Sequence, residues 1–423
     1  MIVRSQPARP LPRRVLPGLP VLGIPVLSIL ALAIAAPLQA ADDFASLFTE
    51  GKAHAAFRYR LENVDQDAFA EDATASTLRT RLNFASAAWN GFGFFAEYDY
   101  VFNLGWDDYN AGAGNTPDKV QYPVVADPEG ADFNQGYIQW QGAVGTLLRG
   151  GRQRIVYDNA RFIGNVGWRQ NEQTYDGAYF QHKAAGFDWQ GAWVGQVNRI
   201  FGRDVPDGRH DNNTWLLNAS KAWEGLGKLA GYYYDIDDEE TASFSTASYG
   251  LRFTADLKTD AAVYGFAAEY ARQTDAHDNP VDYSANYYRL DLSATIQGFT
   301  PYLGYESLGG DASMPGAAFR TPLATLHAFN GWADKFLTTP NAGLDDLFLG
   351  ARGKAGVWAW ELTYHDFQAQ SGSGSFGDEI DASVGRAFLE KFGVLFKAAW
   401  FDGEPDAPYD DTTKLWVQLT ADF

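Results

Sequence analysis

Residues 92–103 read FGFFAEYDYVFN, which places Phe92, Phe94, Ala96, Tyr98, Tyr100 and Phe102 on one side of an extended chain and Glu97, Asp99 and Asn103 on the other. A two-residue period of this kind predicts a strand with one apolar and one wet face. The period recurs. Ala53, Ala55, Phe57, Tyr59 and Leu61 alternate with His54, Arg58, Arg60 and Glu62, and Leu78, Leu82 and Phe84 alternate with Arg79, Arg81 and Asn83. Further on, Tyr288, Leu290, Leu292, Ala294 and Ile296 alternate with Arg289, Asp291, Ser293 and Thr295, and Trp358, Trp360, Leu362 and Tyr364 alternate with Glu361, Thr363 and His365. About eighteen such segments are predicted, starting near residues 52, 77, 92, 132, 145, 174, 187, 213, 227, 246, 260, 285, 299, 344, 357, 378, 392 and 413.

The connections between them alternate in length. Eight are tight, at residues 90–92, 141–145, 184–186, 224–227, 259–260, 297–299, 354–356 and 389–393; nine are longer and more polar, the longest being 104–131, 152–173 and 309–343. An even number of strands with both termini on the short-turn side is the layout of a bacterial outer-membrane barrel, with tight turns in the periplasm and long loops outside. A soluble sandwich also alternates, but it has no reason to line its outward face with Trp, Phe and Tyr or to alternate loop length so regularly. The fold expected is therefore all-β: a single transmembrane antiparallel up-and-down β-barrel of about 18 strands with inward-folded loops. The C-terminal segment KLWVQLTADF agrees, with Leu415, Val417, Leu419, Ala421 and Phe423 on one face. It resembles the terminal strand read by the outer-membrane assembly machinery, making that machinery a partner through Phe423.

Composition narrows the setting. Aromatic residues make up 15% of the 423-residue chain, yet no stretch after Ala40 is apolar for even twelve residues. A barrel reconciles the two by turning every second side chain to lipid. Arg4, Arg9, Arg13 and Arg14 precede the apolar run Val21 to Ala36, which reads as a signal peptide over residues 1–40, followed by the barrel over 41–423. The run contains Pro25 and is short for a membrane anchor. The polar signature of twin-arginine export is missing around Arg13 and Arg14, so export of the Sec type is expected. The chain's formal net charge is −20. Such a polyanion repels nucleic acid unless its few bases cluster. There is no cysteine, and the six histidines have no ligand spacing, so neither a metal site nor a cofactor is expected.

The bases do cluster. With lipid-facing positions set by the aromatics, the lumen side of the first two strands carries Lys52, Arg58, Arg60, Arg79 and Arg81, and later strands add Arg149, Arg252, Arg289, Arg352, Lys354, Lys397 and Lys414. Lumen acids include Glu97, Asp99, Asp256, Asp291, Asp346 and Glu361. These charges either pair across the wet interior or form a basic path that draws anions, and the excess of Arg over Lys suits two-pronged contact with carboxylate or phosphate. Strand five is expected to end at Arg149. The connection after it holds Arg152, Arg154, Arg161 and Arg169 together with Phe162, Ile163, Val166 and Trp168, apolar residues that an exposed loop has no use for. It should fold into the barrel and narrow it. In the connection 309–343, Thr321 and Pro322 give a helix-start signal, and Leu326, Phe329, Ala333, Phe336 and Leu337 recur at helical spacing before Pro340. A short amphipathic helix in or over the lumen is predicted there.

Two blocks, GRQRIVYDNARFIGNVGWRQNEQTYDGAYF and FRTPLATLHAFNGWADKFLTTPNAGLDDLFLG, resemble the most recognisable blocks of the alginate export family of eighteen-stranded outer-membrane barrels. The resemblance implies passage of an anionic polyuronate through an arginine-lined constriction, with Arg152, Arg154, Arg161 and Arg169 and the wall residues Arg58, Arg60, Arg79 and Arg81 as candidates. Enzymatic readings are weak. GSGSFG at residues 372–377 matches GxGxxG but lies between two strands with no helix to follow, and no GxSxG occurs. The chain thus reads as a passive outer-membrane conduit for an anionic polysaccharide or small anion, in contact with the lipid bilayer and lipopolysaccharide and served by a periplasmic export partner. Its rivals are a general porin for small solutes and a plugged surface-binding barrel.

Overall fold

In the computed structural model, residues 43–143 and 145–423 are described. The proposed signal peptide lies outside them. The described residues form eighteen antiparallel strands, each hydrogen-bonded to its sequence neighbours, and the sheet closes where the first strand pairs with the last. In chain order these are β1 (Lys52–Gln66), β2 (Ala73–Ala85), β3 (Phe92–Asp108), β4 (Gly130–Gln141), β5 (Leu147–Gln153) and β6 (Thr174–Ala184). They continue with β7 (Phe187–Asn198), β8 (Arg209–Trp223), β9 (Gly227–Ile236), β10 (Thr246–Lys258), β11 (Val263–Asp275) and β12 (Ser284–Thr295). The last six are β13 (Thr300–Leu308), β14 (Leu344–Ala355), β15 (Trp358–Gln368), β16 (Ser375–Phe388), β17 (Phe392–Gly403) and β18 (Thr412–Asp422). Every strand predicted from alternation is present, and the eight tight turns all lie at the end of the barrel that holds both strand termini.

The alternation sorts side chains as a membrane barrel requires. Leu290, Leu292, Leu362, Leu415 and Leu419 are exposed on the outer face, while their neighbours Arg289, Glu361, Trp416 and Gln418 point into the lumen. Aromatic residues band both ends of that face, with Trp89, Phe92, Trp189 and Phe423 towards the tight turns and Trp215, Tyr249, Tyr270, Tyr288 and Trp400 towards the long loops. A four-residue helical turn, Ser46–Thr49, leads into β1, and Phe44 and Phe48 beside it pack on Trp89 and Phe94.

Among the described residues two long loops run inside the barrel, 154–173 after β5 and 309–343 after β13, and Asp127 of the β3–β4 loop reaches in to Arg60 and to the Gln170 N–H. The two long loops carry the apolar core. Ile155, Phe162, Ile163, Phe319, Leu323, Trp332 and Phe336 are all buried there against lumen-facing Tyr232, Tyr234, Tyr287 and Phe367. Each such side chain contributes roughly 1.5–3 kcal/mol of burial, enough to hold an otherwise irregular chain inside a wet pore. The helix predicted in the second loop does not form. Only the single turn Leu326–Ala328 is helical, because Asn330, Gly331 and Asp334 take positive φ and break the path. The apolar residues that suggested helical spacing are buried one by one in irregular backbone instead.

If the outer face meets lipid, Leu290→Arg near the middle of β12 should cost about 2–4 kcal/mol. Ser293→Arg, turned to the lumen, should change stability by no more than about 0.5 kcal/mol. Denaturant unfolding of the barrel reconstituted in vesicles measures both, and equal costs would contradict this assignment of the two faces.

Candidate functional site

The arginines of the first inward loop meet acids on three separate parts of the wall. Arg154 Nη2 lies 2.5 Å from Glu97 of β3 and its Nε bonds Glu172, while Arg81 of β2 reaches Glu172 at 2.6 Å and Asp99 at 2.5 Å. A bulge between β3 and β4 turns both Asn134 and Gln135 towards Glu97, whose Oε1 accepts from them at 2.8 and 3.0 Å. Burial opposes the charge of Glu172, but Arg154 and then Arg81 hold its carboxyl well below the usual range. Across the lumen, Arg161 Nε sits 2.5 Å from Glu306 of β13, which also takes Arg289 at 3.2 Å. Arg169 closes the third anchor, 3.0 Å from Glu62 of β1 and 3.1 Å from Asp334 of the second loop.

The two loops are also bonded to each other. Gly164 N–H donates to the Leu323 carbonyl at 2.8 Å and Thr325 N–H to the Ala160 carbonyl at 2.9 Å. Gly164 must be glycine at this contact, since a Cβ would stand 2.2 Å from Thr325 Oγ1. Gly331 is constrained by the wall instead, its φ of 83° placing it against the Glu379 carboxylate of β16. Glu379 and Asp381 accept the backbone N–H groups of Ala333 and Trp332 at 2.8 and 3.2 Å, doing for this segment what a helix's own carbonyls would have done. Lys397 of β17 lies between aromatic faces, 4.2 Å from the Trp168 ring and 3.7 Å from that of Trp332, so one cation binds a tryptophan from each loop.

The residues singled out from sequence therefore separate into groups. Arg60, Arg79, Arg81, Arg154, Arg161, Arg169, Arg252 and Arg289 are in the lumen and ion-paired, Arg60 with Asp127 at 3.5 Å and Arg252 with Glu269 at 2.6 Å. Arg58, Arg149 and Arg352 make no ion pair among the described residues. Arg58 donates to Gln170 and to the Gly167 and Arg169 carbonyls, Arg149 stands 4.3 Å over the Tyr137 ring, and Arg352 lies 5.3 Å over that of Tyr302. Arg58 is directly opposite Arg79, as the shared patch requires.

Arg152 is a correction. The strand does not stop at Arg149 but continues through Gly150 and Gly151 to Gln153; the two glycines, lacking side chains, had erased the alternation. Register then pairs Arg152 with Gly136 and Asp176 on the face of Leu148 and Ile138, the lipid side, so it is a wall residue and not a loop residue of the constriction. Sequence reasoning also missed Glu306, Glu379 and Asp381 as anchors. Parity with Tyr305 and Ile380 on the outer face would have placed them in the lumen, but nothing in their local sequence marks them as partners of a distant loop.

A wall closed in this way, turned to lipid outside and wet inside, with long loops drawn into its lumen, defines an outer-membrane channel of the porin type. The family model described as "Alginate export" matches residues 49–291, more than half of the chain, and the protein belongs to that family. Among solved structures it is similar to Pseudomonas aeruginosa OpdK with vanillate, at TM-score 0.70 and 12% identity, covering 89% of this chain and 99% of that one. Acinetobacter baumannii OccAB2 gives TM-score 0.70 at 16% identity over 89% and 99% of the two chains. Pseudomonas aeruginosa OccK9 (OpdG) gives 0.66 at 13% over 89% and 100%. At such identities the likeness is one of fold. No curated protein sequence matches the chain.

The second loop carries a pH-sensitive contact. Its His327 stacks on Trp168 at 4.7 Å, with Nδ1 2.7 Å from Asp334 and Nε2 2.6 Å from Lys397 Nζ. A neutral ring serves both, donating to the carboxylate and accepting from the ammonium. Burial pushes its pKa down to about 3, against the pull of Asp334 and with the push of Lys397. A depressed histidine stabilises the docked loop fully above the ordinary value of about 6.5 and progressively less as pH falls from there towards 3. Docking should weaken by about 2 kcal/mol between pH 7 and pH 5. Hydrogen exchange at the Thr325 amide measures it, and His327→Gln, which keeps a donor and an acceptor, should remove the histidine's part of the dependence; an unchanged pH profile in the variant would refute the assignment.

Proposed function

We propose that the barrel passes anionic solutes across the outer membrane, and that an alginate-like polyuronate is the solute its family membership favours. The observation that carries the reading is the position of the first loop, which brings Arg154, Arg161 and Arg169 inside a barrel whose wall holds Arg58, Arg149 and Arg352, three bases without an ion pair among the described residues. Paired arginines set the shape of the passage, and the unpaired ones supply the field that selects the sign of charge. Passage needs no covalent chemistry; the solute gradient or a periplasmic export partner drives it. The C-terminal strand ending in Phe423 is the segment the assembly machinery would read.

A second reading is uptake of small solutes by a general porin. What favours it is the apolar packing of Phe162, Phe319, Trp332 and Phe336, which fills part of the lumen with side chains. OpdK, a protein of the same fold, was solved with vanillate, a small aromatic acid.

Planar-bilayer recordings separate the readings. The anion path requires an anion-selective pore blocked by oligouronate, and Arg149→Ser or Arg352→Ser alone should lower the anion-to-cation permeability ratio by about fivefold, the weight of roughly 1 kcal/mol for a unit charge at 4 Å in water. Arg152→Ser should leave the ratio as it is. A cation-selective pore indifferent to oligouronate sinks the anion path, and the absence of steady conductance favours a plugged surface-binding barrel.

A further inference from the structure

At seven residues β5 is shorter than its neighbours β4 and β6, because the chain leaves the wall after Gln153 to enter the lumen. Above Arg152 those neighbours have no strand between them. The gap is on the long-loop side of the barrel, at the level of the outer leaflet. A cavity of about 440 Å³ opens there, lined by Asp132, Phe133, Arg152, Asp176, Arg203 and Arg209. Arg152 Nε holds Asp176 at 2.7 Å, Nη1 stands 3.6 Å from Asp132, and the guanidinium donates at 3.1 Å to the Phe133 carbonyl that β5 no longer reaches. Arg203 and Arg209 make neither an ion pair nor a side-chain hydrogen bond among the described residues. Three guanidinium groups therefore face two carboxylates, and two of the three are free to take an anion.

Below it, sharing Phe133, the lipid face carries an apolar groove of about 630 Å³ bounded by Phe92, Phe94 and Ile138 and floored by Gly150, with the Phe133 ring lying over Gly136. Nothing lies within 4 Å of the position a Cβ would take on Gly150, so the floor is open to the membrane. An arginine-lined head pocket above a groove along the hydrocarbon zone matches one kind of molecule, an amphiphile with an anionic head. We propose that this seam binds a phosphorylated glycolipid of the outer leaflet, the phosphate held by Arg152, Arg203 and Arg209 and an acyl chain lying over Gly150 beside the Phe133 ring. Arginine suits the role because its planar fork grips phosphate with two hydrogen bonds. The orientation follows from the barrel's placement in the outer membrane; the solute and the direction of its passage do not enter.

Native mass spectrometry of the full-length barrel in detergent, titrated with diphosphoryl lipid A, tests the site. The unaltered protein should bind it about tenfold more tightly than Arg203→Ser or Arg209→Ser alone, the loss of one charge-assisted contact, and about a hundredfold more tightly than the double variant. Dephosphorylated lipid A should bind the unaltered protein with a comparable loss. Gly150→Leu fills the groove without touching a charge and should also weaken lipid A, while leaving inorganic phosphate unaffected. Heat-modifiable migration on gels confirms that each variant is folded. Equal binding of lipid A by the unaltered and double-variant barrels overturns the proposal. So does inorganic phosphate that binds the pocket as tightly as the lipid, which makes it a site for free anions.

Discussion

Arg161 and Glu306, 2.5 Å apart and both buried in the lumen, illustrate the constraint on which the architecture rests. A charge removed from water must meet its opposite, and breaking such a pair by deleting one partner costs about 3–5 kcal/mol. The loop 154–173 spends its arginines this way on β3, β13 and β1, so it is tied to the wall at three azimuths and cannot drift out without stranding a carboxylate. The second loop follows, since it is hydrogen-bonded to the first and shares Asp334 with Arg169. What looks in the sequence like a surplus of positive charge is for the most part the mate of acids that lie far away in the chain.

This accounts for what the sequence made legible. Alternation along β1, β3 and β12 reports a local property, which face of a pleat meets lipid, and it survives in the fold because the bilayer enforces it strand by strand. Loop length likewise reports which end faces the periplasm. The partners of Arg154, Arg161 and Arg169 are set by barrel closure, with separations of 145 residues for Arg161 and Glu306 and 165 for Arg169 and Asp334, and no local period encodes them. The same limit produced the two errors. Glycines at 150 and 151 hid the end of β5, and apolar residues at helical spacing in 309–343 proved to be separate contacts with separate strands.

Pairing also divides the arginines by role. Those joined to acids give the lumen its shape and rigidity while adding little net field, whereas Arg58, Arg149 and Arg352 make no ion pair among the described residues and bond amides and carbonyls or lie over aromatic faces. Selectivity for sign and selectivity for size thus rest on different side chains. Lys397, wedged between Trp168 and Trp332, belongs to the first group although it makes no ion pair among the described residues, because its partners are the π-faces of the two loops.

The early departure of β5 has a mechanical consequence. A closed sheet resists shear through its hydrogen-bond ladders, and the ladders flanking β5 are among the shortest in the wall. The strand that supplies the inward loop therefore leaves a compliant seam directly beside the segment that narrows the lumen. Through Gln153 and Arg154 that seam runs straight into the loop anchored on Glu97, so a shear of the wall at β5 would be carried to a segment inside the lumen and not absorbed in an outer loop.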